Sequence, residues 1–257
     1  MDKININTRL RYDELDILRG VSVILMVIFH FFYLYYILGK DLETIKNPLV
    51  SILATISHSL FIFLFGINFY INYNKNKDKD KTEYYKKQIY KFLIYASIAL
   101  GITFVTYYMF PDRYVKFGIF HFFAISIILA NIFVTNQKHI ILGIGLFVAL
   151  YIFIFNNSKY YTQCMETPIF CFITGIKNVK YNSIDHFAII PFFTIVLCGM
   201  YVGSNLYDNN KRNFKIGKIQ KIIDSNLGKF LSLIGKYSLY IYIVHWVILY
   251  QIVKMIN

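Results

Sequence analysis

The residues best suited to chemistry lie on the first apolar segment, where Arg19 and His30 are separated by ten residues. At 100° per residue, eleven steps return a helix to nearly the same face, so both side chains project one way, about 16 Å apart along the axis. A guanidinium binds phosphate oxygens, whereas a neutral imidazole accepts protons or acts as a nucleophile. The spacing predicts an anion site and a reactive imidazole on one helix edge.

Two neighbours of Arg19 bear on the same site. Asp16 precedes Arg19 by three residues, which allows the two side chains to pair across one helical turn. Gly20 allows another backbone, or a ligand, to approach the helix closely. Taken alone, Arg19 also fits a topology anchor whose side chain extends to the inner headgroups, but its combination with His30 favours a functional role.

Further ionisable side chains lie within or at the ends of apolar segments, where each costs roughly a few kcal/mol. By the helical rise, His30 lies about 20 Å from the inner end of the first segment and His58 about 15 Å from the outer end of the second. His121 and Asp185 lie near outer ends, and His245 lies near the middle of the last segment. We expect one outward-opening cavity lined by these groups. The structural alternative is neutral imidazoles bonded to neighbouring helices.

A metal site is not expected, because no two histidines have the His-x-x-x-His spacing that places two ligands on one helical face. Cys198 and His139 are assigned no chemistry. Cys164 and Cys171 share one long connection, expected to be outside, and form a candidate disulfide. An apolar stretch in that connection, Thr167–Ile176, is too short to span a membrane and is expected to be re-entrant or interfacial.

The elements that must position these residues are membrane-spanning helices. Of the 257 residues, 57% are hydrophobic, which exceeds what one soluble core of this length normally uses. The sequence therefore predicts an all-α, polytopic transmembrane bundle of about seven helices, forming a single domain over residues 1–257. The predicted spans are Ile17–Leu38, Pro48–Tyr73, Phe92–Phe110, Phe117–Thr135, Ile140–Asn156, His186–Leu206 and Tyr237–Val253.

The formal net charge of +13 would favour a nucleic-acid partner in a soluble protein, but the placement of the charges follows membrane topology instead. With the N-terminus in the cytoplasm, the inner segments hold 19 of the 27 Lys and Arg residues. This asymmetry is the positive-inside pattern, so it predicts that orientation and a lipid bilayer, not nucleic acid, as the partner. Those inner segments are Met1–Arg19, Asn74–Lys91, Asn136–His139 and Tyr207–Lys236.

The stretch from Arg9 to Tyr35, RLRYDELDILRGVSVILMVIFHFFYLY, resembles the opening of the transmembrane acyltransferases. Their shared feature is an arginine and a histidine ten residues apart on the first membrane helix, and Arg19 and His30 match it. Within that superfamily the sequence is most similar to the heparan-alpha-glucosaminide N-acetyltransferase catalytic-domain family, known in prokaryotes as a domain of unknown function. Further matching stretches are Leu60–Asn68, Phe117–Ala130, Ser183–Gly203 and the ending IGKYSLYIYIVHWVIL from Ile234.

The resemblance implies transfer of an acyl group, usually acetyl, from cytosolic acyl-CoA to a hydroxyl or amine of a glycan or amino sugar at the outer face of a prokaryotic plasma membrane. Arg19, with Asp16 and Gly20, would bind acyl-CoA. His30 would act as general base or transient acyl carrier.

Relatives often carry an acidic residue shortly after the first-helix histidine, where this chain has Tyr33-Leu34-Tyr35. Asp185 is the expected substitute, and His121 and His58 are further candidates for orienting His30 or binding the acceptor. Two alternatives stay open at this point. One is a small-molecule transporter or channel that uses the intramembrane His/Asp cluster, and the other is a partner subunit without activity.

Overall fold

The architecture was analysed in a computed structural model of the chain. The structure describes residues 11–39, 43, 46–78, 80–157, 173–175, 183–208 and 211–256. The predicted Cys164–Cys171 disulfide lies outside the described residues, as does most of the apolar stretch 167–176.

Nine α-helices have both ends within the described residues, together with one small antiparallel hairpin. The helices are α1 Asp13–Ile37, α2 Pro48–Asn76, α3 Lys81–Met109, α4 Ile119–Phe133, α5 Gln137–Asn156, α6 Ile189–Leu206, α7 Gly217–Asp224, α8 Asn226–Lys236 and α9 Ser238–Met255. The hairpin follows α6 and pairs β1 Tyr207–Asp208 with β2 Lys211–Arg212.

Six of these helices, α1, α2, α3, α5, α6 and α9, are long and apolar enough to cross a membrane. The predicted all-α, polytopic membrane fold is therefore confirmed. Over the predicted fourth span, Phe117–Thr135, the structure forms the shorter helix α4 of 15 residues. That helix is shorter because Gly118 is extended and Phe117 bridges to His186, so the backbone before Ile119 pairs with a loop instead of continuing the helix.

Several helices begin where a polar side chain replaces the missing hydrogen-bond partner of the first turn. The carboxylate of Asp80 accepts a bond from the Thr82 N–H at 3.0 Å, and Asn136 Oδ1 accepts one from the Lys138 N–H at 2.9 Å. Ser225 Oγ accepts the Gly228 N–H at 3.0 Å. Short polar residues therefore set the starts of α3, α5 and α8.

Helices α7 and α8 lie within the predicted inner segment Tyr207–Lys236, for which the sequence analysis predicts no helix. In α8, apolar residues recur three and four positions apart, as in an amphipathic helix. Leu231 lies against α1, whereas Leu227, Phe230 and Leu233 on the same helix are exposed. Lys229 and Lys236, with the other polar residues and glycines of the segment, lower its mean hydropathy, which is why a search for spanning segments does not find it.

The chain groups into two compact units, described here one at a time. The first comprises residues 1–64 and 214–257, and the second comprises residues 65–213. In the first unit α1 packs along α8 and α9. In the second, α3 packs on α4 and α5 packs on α6.

Candidate active site

The inner part of α1 is held by the backbone of α8 through two glycines. A Cβ on Gly20 would overlap the carbonyl oxygen of Leu231, and a Cβ on Gly235 would overlap the carbonyl oxygen of Asp16. The close approach predicted at Gly20 is thus made by the backbone of α8. A role for Gly20 in ligand binding stays a prediction.

A carboxylate bridges two guanidinium groups at the start of α1. Asp16 is buried, and its Oδ2 accepts a hydrogen bond from Arg11 Nε at 2.9 Å. Its Oδ1 accepts one from Arg19 Nη1, so the predicted pairing of Asp16 with Arg19 is confirmed. The hydrogen bond to Asp16 raises the pKa of Arg11. Because each guanidinium has five N–H donors, one carboxylate does not exhaust them, so Arg11 and Arg19 keep donors for a further acceptor.

Deeper along α1, His30 meets a second histidine. Its Nδ1 lies 3.2 Å from Nε2 of His245 on α9, and the ring centroids are 4.9 Å apart. His245 Nδ1 lies 2.5 Å from the carbonyl oxygen of Tyr242, one turn earlier on the same helix. The ring centroids of Trp246 and His30 are 5.6 Å apart. The Nδ1 atom of His30 therefore faces α9.

The first part of α2 approaches α1 closely at Ser22, eight residues before His30. Ser22 Oγ donates to the carbonyl of Ser57 at 2.8 Å, and Ser57 Oγ donates to the carbonyl of Ser22 at 2.9 Å. Both serines are buried. The next residue, His58, hydrogen-bonds to the backbone of Ala54 on its own helix. These bonds fix the part of α2 that carries His58 against α1.

In the second unit, Asp185 caps α4 from a distant part of the chain. Its Oδ2 accepts the N–H of Ile119 at 3.3 Å, and only a glycine fits beside it, since a Cβ on Gly118 would lie 2.7 Å from the same oxygen. Burial raises the pKa of Asp185 to about 6, while hydrogen bonds from the backbone of Ile119 and His186 act in the opposite direction. The carboxylate also complements the positive end of the helix dipole.

His121 joins the same helix start. Its Nδ1 accepts the N–H of Gly118 at 3.2 Å, so the ring hydrogen lies on Nε2, which is 3.4 Å from Thr103 Oγ1. The Thr103 hydroxyl donates in turn to the carbonyl of Val115 at 2.8 Å. Both ring nitrogens of His121 therefore have partners at or near the start of α4. The predicted part of His121 in catalysis stays a prediction.

Sequence reasoning missed Arg11 as a site candidate, and it placed His245 among the groups lining the cavity without foreseeing its partner. Arg11 is one of several basic residues before the first span, and nothing in the sequence distinguishes it. His245 is visible as a histidine in the middle of an apolar segment, but its pairing with His30 is a contact across 215 residues that no local spacing predicts. Among the described residues, no group of three His, Cys, Asp or Glu side chains is arranged to hold a metal ion.

Comparison with known proteins gives one match. A family model described as heparan-alpha-glucosaminide N-acetyltransferase, catalytic, matches residues 11–247. That range covers nearly the whole chain and includes His30, His58 and His245 of the first unit and the Asp185 cluster of the second. No curated protein and no solved structure matches the chain significantly.

Proposed function

Because the chain belongs to the heparan-alpha-glucosaminide N-acetyltransferase catalytic family, we propose that it is a membrane enzyme that transfers an acetyl group from cytosolic acetyl-CoA to a hydroxyl or amine at the outer face. The acceptor in this proposal is a glycan or amino sugar. It is kept broader than heparan, because the predicted outer segments carry charges of both signs and do not indicate a polyanionic substrate.

The observation that carries the proposal is the arrangement of α1, with a guanidinium cluster at its start and a paired imidazole further along. In the proposed complex, Arg19 binds a phosphate of CoA while Asp16 holds its guanidinium in place. The pantetheine arm extends along the helix edge over the roughly 16 Å that separates Arg19 from His30. The thioester then lies beside the imidazole, so the spacing between Arg19 and His30 matches the reach of the pantetheine arm.

In the chemical step, His30 removes the proton of the acceptor O–H or N–H as the acceptor atom attacks the thioester carbonyl carbon. The tetrahedral intermediate collapses with cleavage of the C–S bond, and the thiolate of CoA takes the proton back from the imidazolium. In the alternative route, the lone pair of the His30 ring nitrogen attacks the thioester carbonyl carbon and CoA leaves. The acyl group carried on His30 is then transferred to the acceptor. Either route leaves acylated acceptor and free CoA.

The remaining predicted residues are assigned supporting parts in this proposal. Asp185 and His121 both bond to the first turn of α4, and this geometry supports a role in holding the α4 entry in shape. His58 is assigned a part in orienting His30 or in binding the acceptor. The serine pair next to it joins α2 to α1 at Ser22, eight residues before His30.

Purified protein incubated with labelled acetyl-CoA and a panel of amino sugars, glycans and lipid-linked saccharides tests the proposal by mass analysis of the products. His30→Ala is expected to insert and purify normally but to lose transfer by roughly 10²–10⁴-fold, the usual contribution of a general base. His139→Ala is the matched control, since His139 is exposed at the start of α5 and bonds to the side chain of Thr135.

Full transfer by the purified His30→Ala protein would reject the assignment of His30. Solute flux in liposomes without CoA, together with no acetyl transfer to any acceptor, would favour the transporter alternative over the enzyme.

A further inference from the structure

We propose that His245 is a positioning residue that fixes the tautomer of His30, so that His30 presents an unprotonated Nε2 to the reacting groups. The tautomer of His30 depends only on hydrogen bonds within the first unit. Its catalytic consequence rests on the function proposed above.

The carbonyl of Tyr242 sets the tautomer of His245. A backbone carbonyl can only accept a hydrogen bond, so the 2.5 Å contact between the Tyr242 oxygen and His245 Nδ1 requires a hydrogen on that nitrogen. A neutral imidazole carries one N–H and one lone pair. The Nε2 of His245 is therefore an acceptor, and it is this nitrogen that lies 3.2 Å from His30.

The hydrogen between the two rings must then come from His30. Two lone pairs cannot form a hydrogen bond, so Nδ1 of His30 carries the hydrogen and donates it to His245. His30 also hydrogen-bonds to the backbone of Met26, one turn earlier. This second bond is compatible with the same tautomer, because Nδ1 is the ring nitrogen nearer to its own main chain. What remains on His30 is the lone pair of Nε2.

The neutral state assumed for both rings follows from where they lie. Both belong to helices of membrane-spanning length, and His245 is only 4% exposed. A proton added to either ring would place a charge inside the span with another imidazole as its nearest polar side chain, which is costly in a membrane interior. Among the described ion pairs, none involves either histidine.

In this series of hydrogen bonds, a catalytic base is held in position by an orienting group. The Tyr242 carbonyl orients His245, His245 orients His30, and Trp246 lies beside the ring of His30. Without His245, the His30 ring loses one of the two acceptors for its Nδ1 hydrogen and keeps only the backbone of Met26. A fraction of molecules would then carry the hydrogen on Nε2, where it blocks the nitrogen that must accept a proton.

The first test is direct and independent of activity. Protein labelled with ¹⁵N-histidine is examined by NMR in detergent, and the His30 signals are assigned by their loss in His30→Gln. The expected result is the Nδ1–H tautomer for both His30 and His245. An Nε2–H tautomer of His30 in the wild-type protein would overturn the proposal, whether or not any acetyl acceptor has been found.

The second test separates positioning from folding. His245→Leu removes the acceptor and is expected to lower kcat on the order of 10²-fold or more, with an unchanged KM for acetyl-CoA. His245→Gln can place an amide oxygen near the former Nε2 and is expected to recover most of that loss. Gln251→Leu, an exposed position on α9, is the matched control and should retain full activity.

A kcat of His245→Leu within about threefold of wild type would overturn the positioning role. So would equal losses for the Leu and Gln variants when both proteins are folded by size-exclusion and thermal unfolding measurements. Failure of the wild-type protein to transfer any acyl group would count against the proposed function and leave the NMR result to decide on the tautomer.

Discussion

At the scale of single residues, the arginine, aspartate and histidine of α1 could be predicted because helical geometry relates positions three and eleven residues apart. The partners of these residues could not be predicted in the same way. His245 meets His30 only because α9 packs on α1, and Asp185 reaches the N–H of Ile119 across 66 residues. A single sequence contains no local signal for such contacts.

The raised pKa of Asp185 leads to a prediction about stability. Below its ordinary pKa of 3.8 the carboxyl is protonated in both the folded and the unfolded chain. Between 3.8 and about 6 the unfolded chain releases the proton while the folded protein keeps it, so stability falls as pH rises through this window. Asp185→Asn removes this loss and keeps an oxygen acceptor for the Ile119 N–H.

Thermal unfolding in detergent measures the difference in stability between Asp185→Asn and wild type at each pH. We expect this difference to favour the variant more at pH 7.5 than at pH 4. Asp112→Asn, at an exposed position in the same unit, is the control and should show no such pH dependence. An Asp185→Asn protein that is destabilised more at pH 7.5 than at pH 4 would contradict this expectation, because it would show that the charged carboxylate stabilises the start of α4.

At the scale of elements, the spanning helices were predictable because their apolar stretches are long, and the differences arise where other forces set a boundary. The start of α4 is set by the pairing of Phe117 with His186, which a hydropathy profile cannot show. Helices α7 and α8 were missed because their apolar residues cover only one face. Their existence matters to the site, since α8 lies directly on the inner part of α1.

The contact between α1 and α8 gives a prediction about packing. Gly20→Ala is expected to destabilise the protein by about 1–3 kcal/mol, because its methyl group would have to displace the backbone at Leu231. Gly145→Ala in α5 is the matched control, since no atom lies within 4 Å of a Cβ built there. The control should be neutral or slightly stabilising, because alanine is the better helix former.

Thermal unfolding of the three proteins in the same detergent checks this expectation. Equal stability of Gly20→Ala and Gly145→Ala would mean that α8 does not pack on α1 as closely as described.

At the scale of the whole molecule, the class of protein follows from composition and charge, whereas the number of crossings depends on one short helix. The 15 residues of α4 extend about 22 Å, less than the hydrocarbon thickness. We nevertheless expect α4 to cross, because it packs within its unit against α3, α5 and α6 and the extended backbone before Ile119 lengthens its path. Together with a cytoplasmic N-terminus, this predicts an outer end for α9.

Labelling of single cysteines with a membrane-impermeant maleimide tests this topology in a variant whose three native cysteines are replaced by serine. Cysteines at Asp112 and Met255 are expected to react in intact cells, whereas cysteines at Lys86 and Asp224 should react only after permeabilisation. Reaction at Asp112 without reaction at Met255 would show that α4 does not cross. Reaction at Lys86 in intact cells would show the opposite orientation.

The pairing of His30 with His245 also bears on how the protein is made. His30 enters the membrane 215 residues before its partner, so the growing chain holds that histidine without its orienting group until α9 has been inserted. In the proposed mechanism, chains that stop before α9 would be anchored in the bilayer but could not position His30. Insertion of α9 is then the step at which His30 would gain its orienting group.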